Sequence, residues 1–311
     1  MIRRIIKNIL KLIYRVEITG LENFKAAGDR VMIVANHTSF LDGLLLACFM
    51  PEKLSFAINT HIAKKWYSRL IKPVVNLFPM DPTNPLSLKS FIRFVQRDQR
   101  VVIFPEGRIT VTGALMKIYN GPGLVADRSG AMVLPVRIEG AQYTPFSRLR
   151  GRVRLRWFPK ITIKVLPPRA ISAPEDVRGR ARRKYAGQVL TDIMTNMMYK
   201  TGNYNRTIVQ GVLDAMSIHG RNHRIVEDIE RQPLTYNQLL TRSFILGNKI
   251  RNNHSDGEYV GVLLPNSVGS IVVFLGLQIY NRVPAMLNFS TGVKGMVSAC
   301  ETAAIKTVYT S

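Results

Sequence analysis

Residues 31–42 have the sequence VMIVANHTSFLD, and the order of apolar and polar residues in this stretch predicts the local structure around which the fold is built. Its first five residues, Val31–Ala35, are all apolar and follow charged residues, so they predict a short buried strand. The polar residues after them predict a loop, and Leu41–Phe49 predicts the start of a helix. The stretch therefore predicts a strand, a polar loop and a helix in direct succession.

The same alternation continues along the first two thirds of the chain. Short apolar runs predict further strands, and periodic segments predict helices. The predicted strands are Leu54–Ile58, Val101–Phe104 and Met132–Ile138, and the predicted helices are Ile62–Val75, Phe91–Gln96 and Arg178 to about Tyr199. Strands that alternate with helices in this way indicate an α/β domain.

The loop after the first strand contains a candidate catalytic pair, His37 and Asp42. Histidine titrates near neutral pH and suits general-base catalysis, and a carboxylate commonly orients such a base. The two side chains can meet if His37 lies in the loop and Asp42 in the first helical turn, with Thr38 and Ser39 as helix-capping residues. The alternative is that Asp42 belongs to a helix cap and has no chemical role.

A second candidate segment, FPEGRIT at residues 104–110, follows another predicted strand. Gly107 lets the backbone approach a ligand closely, and Arg108 offers a fork of donors that matches a phosphate. Glu106 is placed either to accept a hydrogen bond from a ligand hydroxyl or to hold Arg108. Taken alone, the segment also fits an ordinary loop.

Three segments in this order resemble the glycerolipid acyltransferase family: NHTSFLD at 36–42, FPEG at 104–107 and VLPV at 133–136. The resemblance covers roughly residues 1–200, with the acyltransferase domain expected at 19–200, and it implies a mixed sheet flanked by helices. It also implies that His37 deprotonates the free hydroxyl of a lysophospholipid while Asp42 orients and stabilises His37. The hydroxyl would attack the acyl thioester of acyl carrier protein or coenzyme A, with no covalent acyl-enzyme, no metal and no cofactor.

The resemblance further implies a set of substrate-binding residues: Asn36, Glu106, Gly107, Arg108, Thr110 and Pro135. Two departures from the family pattern affect the phosphate contacts. Arg108 follows Gly107 directly, and the segment FPMDP at 78–82 has proline where many members have arginine. These departures favour a headgroup other than a bare phosphate.

The last third of the chain resembles a different family. LTYNQLL at 234–240, VGVLLPNS at 260–267 and PAMLN at 284–288 resemble the opening of adenylate-forming acyl-activating enzymes. We expect a linker at 201–206 and an incomplete α/β adenylate-forming domain at 207–311. The combination resembles the bacterial bifunctional enzymes that join a 2-acylglycerophosphoethanolamine acyltransferase to an acyl-[acyl-carrier-protein] synthetase. This resemblance implies acylation of the 1-hydroxyl of 2-acylglycerophosphoethanolamine, and 1-acylglycerol-3-phosphate is the alternative acceptor. ATP and Mg²⁺ serve only that synthetase, whose activity we do not expect from this fragment.

The chain has a formal net charge of +24, and residues 1–206 hold +22 of it. This asymmetry supports a boundary near residue 200. A positive field of this size attracts polyanions, so we expect an anionic membrane surface and the acidic acyl carrier protein as partners, and no nucleic acid. Charge alone does not choose among polyanions, and a basic nucleic-acid-binding module is the alternative from another class.

Residues 1–18 predict a basic amphipathic helix with apolar residues at helical spacing from Ile2 to Ile13. Such a helix is typical of the membrane interface, and the family resemblance places it at the cytoplasmic face of a bacterial inner membrane. The alternative is a helix packed on its own domain.

Two other segments have patterns that bear on membranes. Five arginines alternate with other residues from Arg148 to Arg156, which predicts a strand with all five on one face. That face is either a solvated sheet edge or a surface that meets phosphates. Val260–Asn281 has no charged residue and is long enough to cross a bilayer, but Pro265-Asn266-Ser267 favours a strand, a loop and a helix.

Overall fold

The computed structural model describes residues 2–60, 75–81 and 84–311. The chain forms two compact units, Met1–Gly202 and Asn203–Ser311. The first unit has two clusters of buried apolar side chains, and the second unit has two smaller ones. The boundaries predicted for the domains and the linker stay predictions.

The described strands of the first unit form one seven-stranded mixed sheet. They are β1 (Glu17–Thr19), β2 (Val31–Ala35), β3 (Ser55–Asn59), β4 (Asn76–Met80), β5 (Val101–Ile103), β6 (Met132–Glu139) and β7 (Thr162–Val165), in the spatial order β1-β7-β6-β2-β5-β3-β4. All neighbouring pairs are parallel except β6 and β7, which are antiparallel. The predicted α/β fold with a mixed sheet is confirmed.

Helices cover both faces of this sheet. Along β2, Val31, Ile33 and Ala35 belong to one buried cluster, and Met32 and Val34 belong to the other. The strand is therefore buried on both faces, as a central parallel strand requires. The described helices are α1 (Ile2–Tyr14), α2 (Glu22–Ala26) and α3 (Asp42–Phe49) on the first face, and α4 (Pro85–Val95), α5 (Asn120–Ser129) and α6 (Gly179–Thr201) on the second.

Three neighbouring parallel strands, β6, β2 and β5, end at the same edge of the sheet. β2 ends at Ala35 and β5 at Ile103, so the segments 36–42 and 104–110 emerge side by side. This edge, at the carboxyl ends of parallel strands, is where α/β folds bind ligands. The topology thus joins two segments that are about 65 residues apart in the sequence.

Four predicted strands are present in the central sheet as β2, β3, β5 and β6, the strands β1, β4 and β7 were not predicted, and one predicted strand is wrong. Residues 148–156 do not form a strand, because the chain turns at Gly151 (φ +81°) and makes only an isolated bridge between Arg150 and Val153. All five arginines of this segment are nevertheless exposed, while Leu149 is buried. Residues 62–74 of the helix predicted at 62–75 lie outside the described residues, as does Pro82, and Val75 is buried just before β4 and is not helical.

The second unit contains a parallel three-stranded sheet and a short antiparallel pair of strands. Its elements are α7 (Ile208–His219), β8 (Arg224–Val226), β9 (Leu234–Thr235), α8 (Tyr236–Ile250), β10 (Tyr259–Leu263), α9 (Val268–Ile279), β11 (Val283–Met286), α10 (Gly292–Thr302) and β12 (Val308–Thr310). The strand, loop and helix predicted for 260–281 are present as β10 and α9. The likeness of this unit to adenylate-forming enzymes stays a prediction.

Over residues 2–60, 75–81 and 84–311, no helix combines the length and the apolar composition that are needed to cross a bilayer. The predicted N-terminal helix is present as α1, and it packs on its own domain through Leu10 and Tyr14. A second row of apolar side chains on α1 is exposed: Ile2, Ile5, Ile9, Leu12 and Ile13.

Gly123 and Gly187 allow helices α5 and α6 to pack closely against each other. A Cβ atom on Gly123 would lie 2.3 Å from the backbone oxygen of Ala186, and one on Gly187 would lie 2.2 Å from the side-chain oxygen of Asn120. The same two helices are joined by the buried Asp127, which accepts two hydrogen bonds from Arg182, at 2.6 and 2.9 Å. Burial raises the pKa of Asp127, but these hydrogen bonds and the Ala173 amide outweigh it and leave the pKa below its usual range.

We expect Gly123→Ala to destabilise the first unit by about 1–3 kcal/mol, because the added methyl group meets backbone that cannot rotate away. Gly121→Ala is the matched control, since it lies in the same helix and nothing is within 4 Å of its Cβ position. The control should leave stability unchanged or raise it slightly through helix propensity. Urea unfolding monitored by circular dichroism gives the unfolding midpoint of each variant. Equal midpoints for Gly123→Ala and Gly121→Ala would contradict the close contact between the helices.

Candidate active site

The carboxylate of Asp42 organises the loop after β2. Asp42 is the first residue of α3 and is completely buried, and its oxygens accept hydrogen bonds from the backbone amides of Thr38 (2.5 Å) and Ser39 (2.8 Å). The Thr38 hydroxyl adds a third bond at 3.2 Å. A buried carboxylate requires such donors, and the helix N-terminus also favours its charge.

The capping roles predicted for Thr38 and Ser39 are wrong. Leu41 occupies the N-cap position, and no side chain caps the helix there. The bonds run in the opposite direction, from the backbone of the loop to the side chain of Asp42. The carboxylate attracts more donors than a hydroxyl does, so the loop folds around Asp42 rather than around Ser39.

The structure brings the predicted pair together. The Nδ1 atom of His37 lies 2.9 Å from an oxygen of Asp42, and the imidazole stacks on the Phe104 ring at a centroid distance of 4.1 Å. The His37 backbone is held from the neighbouring segment, because its amide donates to Glu106 (2.8 Å) and its carbonyl accepts from the Thr110 amide (2.8 Å). His37 is therefore held at its ring, at its backbone amide and at its backbone carbonyl.

This arrangement leaves one ring nitrogen of His37 available. Since the Asp42 carboxylate can only accept a hydrogen bond, Nδ1 of His37 carries the proton that it donates, and Nε2 carries the lone pair that can accept a proton. The His37 side chain is 20% exposed, and Nε2 has no hydrogen-bond partner among the described residues. His254 in the second unit differs, because Glu258 and Tyr309 engage both of its ring nitrogens and its side chain is only 1% exposed.

Glu106 is buried and holds the backbone of the candidate site. Its two carboxylate oxygens accept from the amides of His37 and Met116, both at 2.8 Å. Glu106 therefore fixes His37 and the segment before α5, and it makes no ion pair with Arg108 within the described residues. Burial raises the pKa of Glu106, and the two amide hydrogen bonds oppose this rise without cancelling it.

Three other predicted site residues are engaged inside the protein. The amide group of Asn36 makes two 2.8 Å hydrogen bonds with the backbone of Ile138, which ties the end of β2 to β6. The Thr110 hydroxyl donates to the Ala114 carbonyl at 2.9 Å and is buried. Pro135 is buried in β6 opposite Val34. These contacts make the three residues part of the framework, and their predicted contact with substrate stays a prediction.

Gly107 and Arg108 are the exposed members of the predicted set. Gly107 has a φ of +67°, and a Cβ atom there would lie 3.1 Å from the Tyr119 ring, so glycine suits this turn. Arg108 follows on the same exposed turn. Its side chain is therefore accessible, and its predicted contact with a phosphate stays a prediction.

Sequence reasoning missed two contributors to the site. Phe104 supports the imidazole face, and the Ile138 backbone anchors Asn36. Both lie far from His37 in the sequence, so only the pairing of β2 with β5 and β6 reveals them. Within the described parts of the chain, no group of His, Cys, Asp and Glu side chains is arranged to hold a metal ion.

Comparisons with known proteins agree with the predicted family resemblance. Residues 15–139 match the profile of the Acyltransferase family. The chain is 30% identical over 132 residues to a chloroplastic 1-acyl-sn-glycerol-3-phosphate acyltransferase of Arabidopsis thaliana, which covers 41% of this chain and 36% of that protein. It is 27% identical over 170 residues to the 1-acyl-sn-glycerol-3-phosphate acyltransferase of Pseudomonas aeruginosa, covering 51% of this chain and 63% of that protein.

The match thus spans from about one third to two thirds of the length of these curated relatives. Among solved structures, the chain is similar to the 1-acyl-sn-glycerophosphate acyltransferase PlsC from Thermotoga maritima, with 22% identity and a TM-score of 0.45. That similarity covers 63% of this chain and 79% of the solved one. The expected fusion to an adenylate-forming domain stays a prediction.

We expect the raised pKa of Glu106 to make stability fall as pH rises. The folded protein retains a proton that the unfolded chain releases near pH 4.5, so this contribution is greatest below that pH and is lost as pH rises through the raised pKa. In Glu106→Gln the decline is absent, so the excess stability of the wild type over the variant should shrink from pH 4.5 upward.

Urea unfolding at several pH values measures this difference. Glu22→Gln is the matched control for the loss of one carboxylate, since Glu22 is exposed in the same unit. A stability difference between wild type and Glu106→Gln that stays constant or grows with pH would contradict the raised pKa of Glu106.

Proposed function

We propose that this chain is an acyltransferase that moves a fatty acyl group from a thioester to the free hydroxyl of a lysophospholipid. The observation that carries the proposal is the His37–Asp42 pair, in which a buried carboxylate holds Nδ1 and leaves Nε2 open at the carboxyl edge of the sheet. The match of residues 15–139 to the Acyltransferase family supports the same chemistry.

In the proposed reaction, Nε2 of His37 takes the proton of the acceptor hydroxyl as its oxygen attacks the thioester carbonyl. The carbon–sulfur bond then breaks, and the imidazolium returns the proton to the leaving sulfur. Asp42 stabilises the imidazolium while it exists, because its carboxylate lies 2.9 Å from Nδ1. The acyl group passes directly from sulfur to oxygen.

The surroundings of His37 favour direct transfer over a covalent acyl-enzyme. Ser39 is completely buried, and its hydroxyl contacts the Leu41 amide and Thr144. The Thr38 hydroxyl donates to Asp42. Cys48 is buried inside α3, where burial raises its thiol pKa. These side chains are therefore unsuited to act as a nucleophile on an incoming thioester, whereas a substrate hydroxyl reaches Nε2 from the open side.

The acceptor that has most support is 1-acylglycerol-3-phosphate, because the curated relatives are named for it. A second candidate is 2-acylglycerophosphoethanolamine, which the sequence of residues 207–311 favours through its resemblance to acyl-activating domains. Both acceptors carry a phosphate group, which Arg108 could bind from its exposed turn. We propose acyl carrier protein as the donor, since its acidity complements the basic first unit.

We also propose that the enzyme works at an anionic membrane surface. Long-chain lysophospholipids reside in bilayers, and α1 presents exposed apolar residues beside exposed cationic ones such as Arg4 and Lys11. This distribution is typical of a helix that lies in the membrane interface. The cytoplasmic face of the bacterial inner membrane is the location that the sequence predicts.

We expect His37→Ala to lower the transfer rate by roughly a hundredfold to ten-thousandfold, because the general base is lost. Transfer from labelled acyl-[acyl-carrier-protein] to lysophospholipid in detergent measures this rate. The His223→Ala variant removes an exposed imidazole of the second unit and should retain the full rate.

Circular dichroism of both variants checks that they are folded, since His37 is held mainly through its backbone. A folded His37→Ala variant with the wild-type rate would refute the general-base mechanism. Loss of transfer in both variants would point to a general loss of structure, which the spectra distinguish.

A competition between the two acceptors tests the headgroup. We expect 1-acylglycerol-3-phosphate to be acylated faster than 2-acylglycerophosphoethanolamine at equal concentration, because the comparisons favour it. A preference for the second acceptor would establish the alternative headgroup and leave the His37 chemistry intact. Arg108→Gln should raise KM for the preferred acceptor with a smaller effect on kcat, because Arg108 is proposed to bind the phosphate.

A further inference from the structure

The segment from Phe146 to Phe158, here the arginine–aromatic loop, is an exposed surface that the proposed chemistry does not use. Arg148, Arg150 and Arg154 are exposed in it, and none of the three pairs with a carboxylate within the described residues. The loop contains no acidic residue. Trp157 is 68% exposed and Phe158 is 60% exposed.

The loop is attached to the candidate active site at one end. The Phe40 amide donates to the Phe146 carbonyl at 3.1 Å, and Ser39 and Ser147 form an antiparallel bridge. The Arg148 guanidinium lies over the exposed Phe40 ring at 5.8 Å. Phe40 is between His37 and Asp42 in the sequence, so the loop borders the segment that holds the candidate base.

At its other end the loop is attached to α1. The Phe158 ring lies 6.5 Å from the Tyr14 ring, and the Arg15 guanidinium donates to the Phe158 carbonyl at 2.9 Å. The last turns of α1 also contain the exposed Leu12 and Ile13. Exposed apolar and cationic groups thus continue from α1 through the loop to the edge of the active site.

We infer that the arginine–aromatic loop docks on an anionic lipid bilayer and that this docking brings the opening beside His37 to the lipid surface. Arginines match the phosphates of lipid headgroups, and exposed aromatic rings insert at the headgroup level. The row of exposed aliphatic residues on α1 suits the acyl chains of a bilayer. The inference deepens the proposed function by naming the surface that meets the membrane.

Flotation of the full chain with vesicles tests this inference without any acyl donor. The vesicles contain 30% phosphatidylglycerol in phosphatidylcholine, and pure phosphatidylcholine vesicles serve for comparison. Each cationic side chain near an anionic surface strengthens partitioning by about fivefold. The triple variant Arg148→Gln, Arg150→Gln, Arg154→Gln should therefore bind the anionic vesicles roughly a hundredfold more weakly than the wild type.

The matched control removes the same charge from another exposed site. Arg180→Gln, Arg183→Gln, Lys184→Gln changes three exposed residues at the start of α6. We expect this control to weaken vesicle binding by no more than a few fold. Trp157→Ser should weaken binding several fold even at high salt, since the ring contributes apolar contact rather than charge.

The possible results distinguish the inference from the alternative explanations. Equal losses in the two triple variants would overturn it in favour of a diffuse charge effect, and wild-type binding by the loop variant would overturn it outright. Tighter binding of the wild type to duplex nucleic acid than to anionic vesicles at the same salt would also overturn it. Because the assay contains no acyl substrate, a failed docking surface and a failed acyl-transfer reaction are separate findings.

Discussion

A carboxylate that is completely removed from water needs hydrogen-bond donors, and Asp42 obtains its donors from the few residues that precede it. The loop after β2 consequently closes around one side chain. The same carboxylate accepts a hydrogen bond from Nδ1–H of His37, so the group that shapes the loop also sets the tautomer of the imidazole. Structure and chemistry at this site depend on the same charge.

A second buried carboxylate, Glu106, extends this principle to the neighbouring strand. It holds the His37 amide from the segment after β5, while the Thr110 amide holds the His37 carbonyl. Phe104 completes the support by stacking on the imidazole. His37 is therefore preorganised by groups from two loops, and little reorganisation is needed when a proton moves.

The exposed surface complements this rigid interior. Cationic and aromatic residues between Phe146 and Phe158 adjoin the active-site loop at Phe40, and they adjoin α1 at Tyr14. In the proposed reaction a lysophospholipid presents its headgroup and free hydroxyl at the bilayer surface, so the strand ends beside His37 have to come to that surface. The distribution of charge and apolar residues around the site is consistent with this requirement.

The sequence predicted the α/β alternation, the strands β2, β3, β5 and β6 and the pair His37 and Asp42, because these depend on local apolar runs and on short-range spacing. It did not predict the strands β1, β4 and β7. It did not determine that Asp42 rather than Ser39 organises the loop, that Asn36 and Glu106 bind backbone, or that residues 148–156 turn at Gly151. The contacts of Asn36 and Glu106 depend on which strand ends lie side by side, since their partners are 102 and 69 residues away in the chain. Such long-range pairing leaves no local signal in the sequence, so it appears only in the tertiary structure.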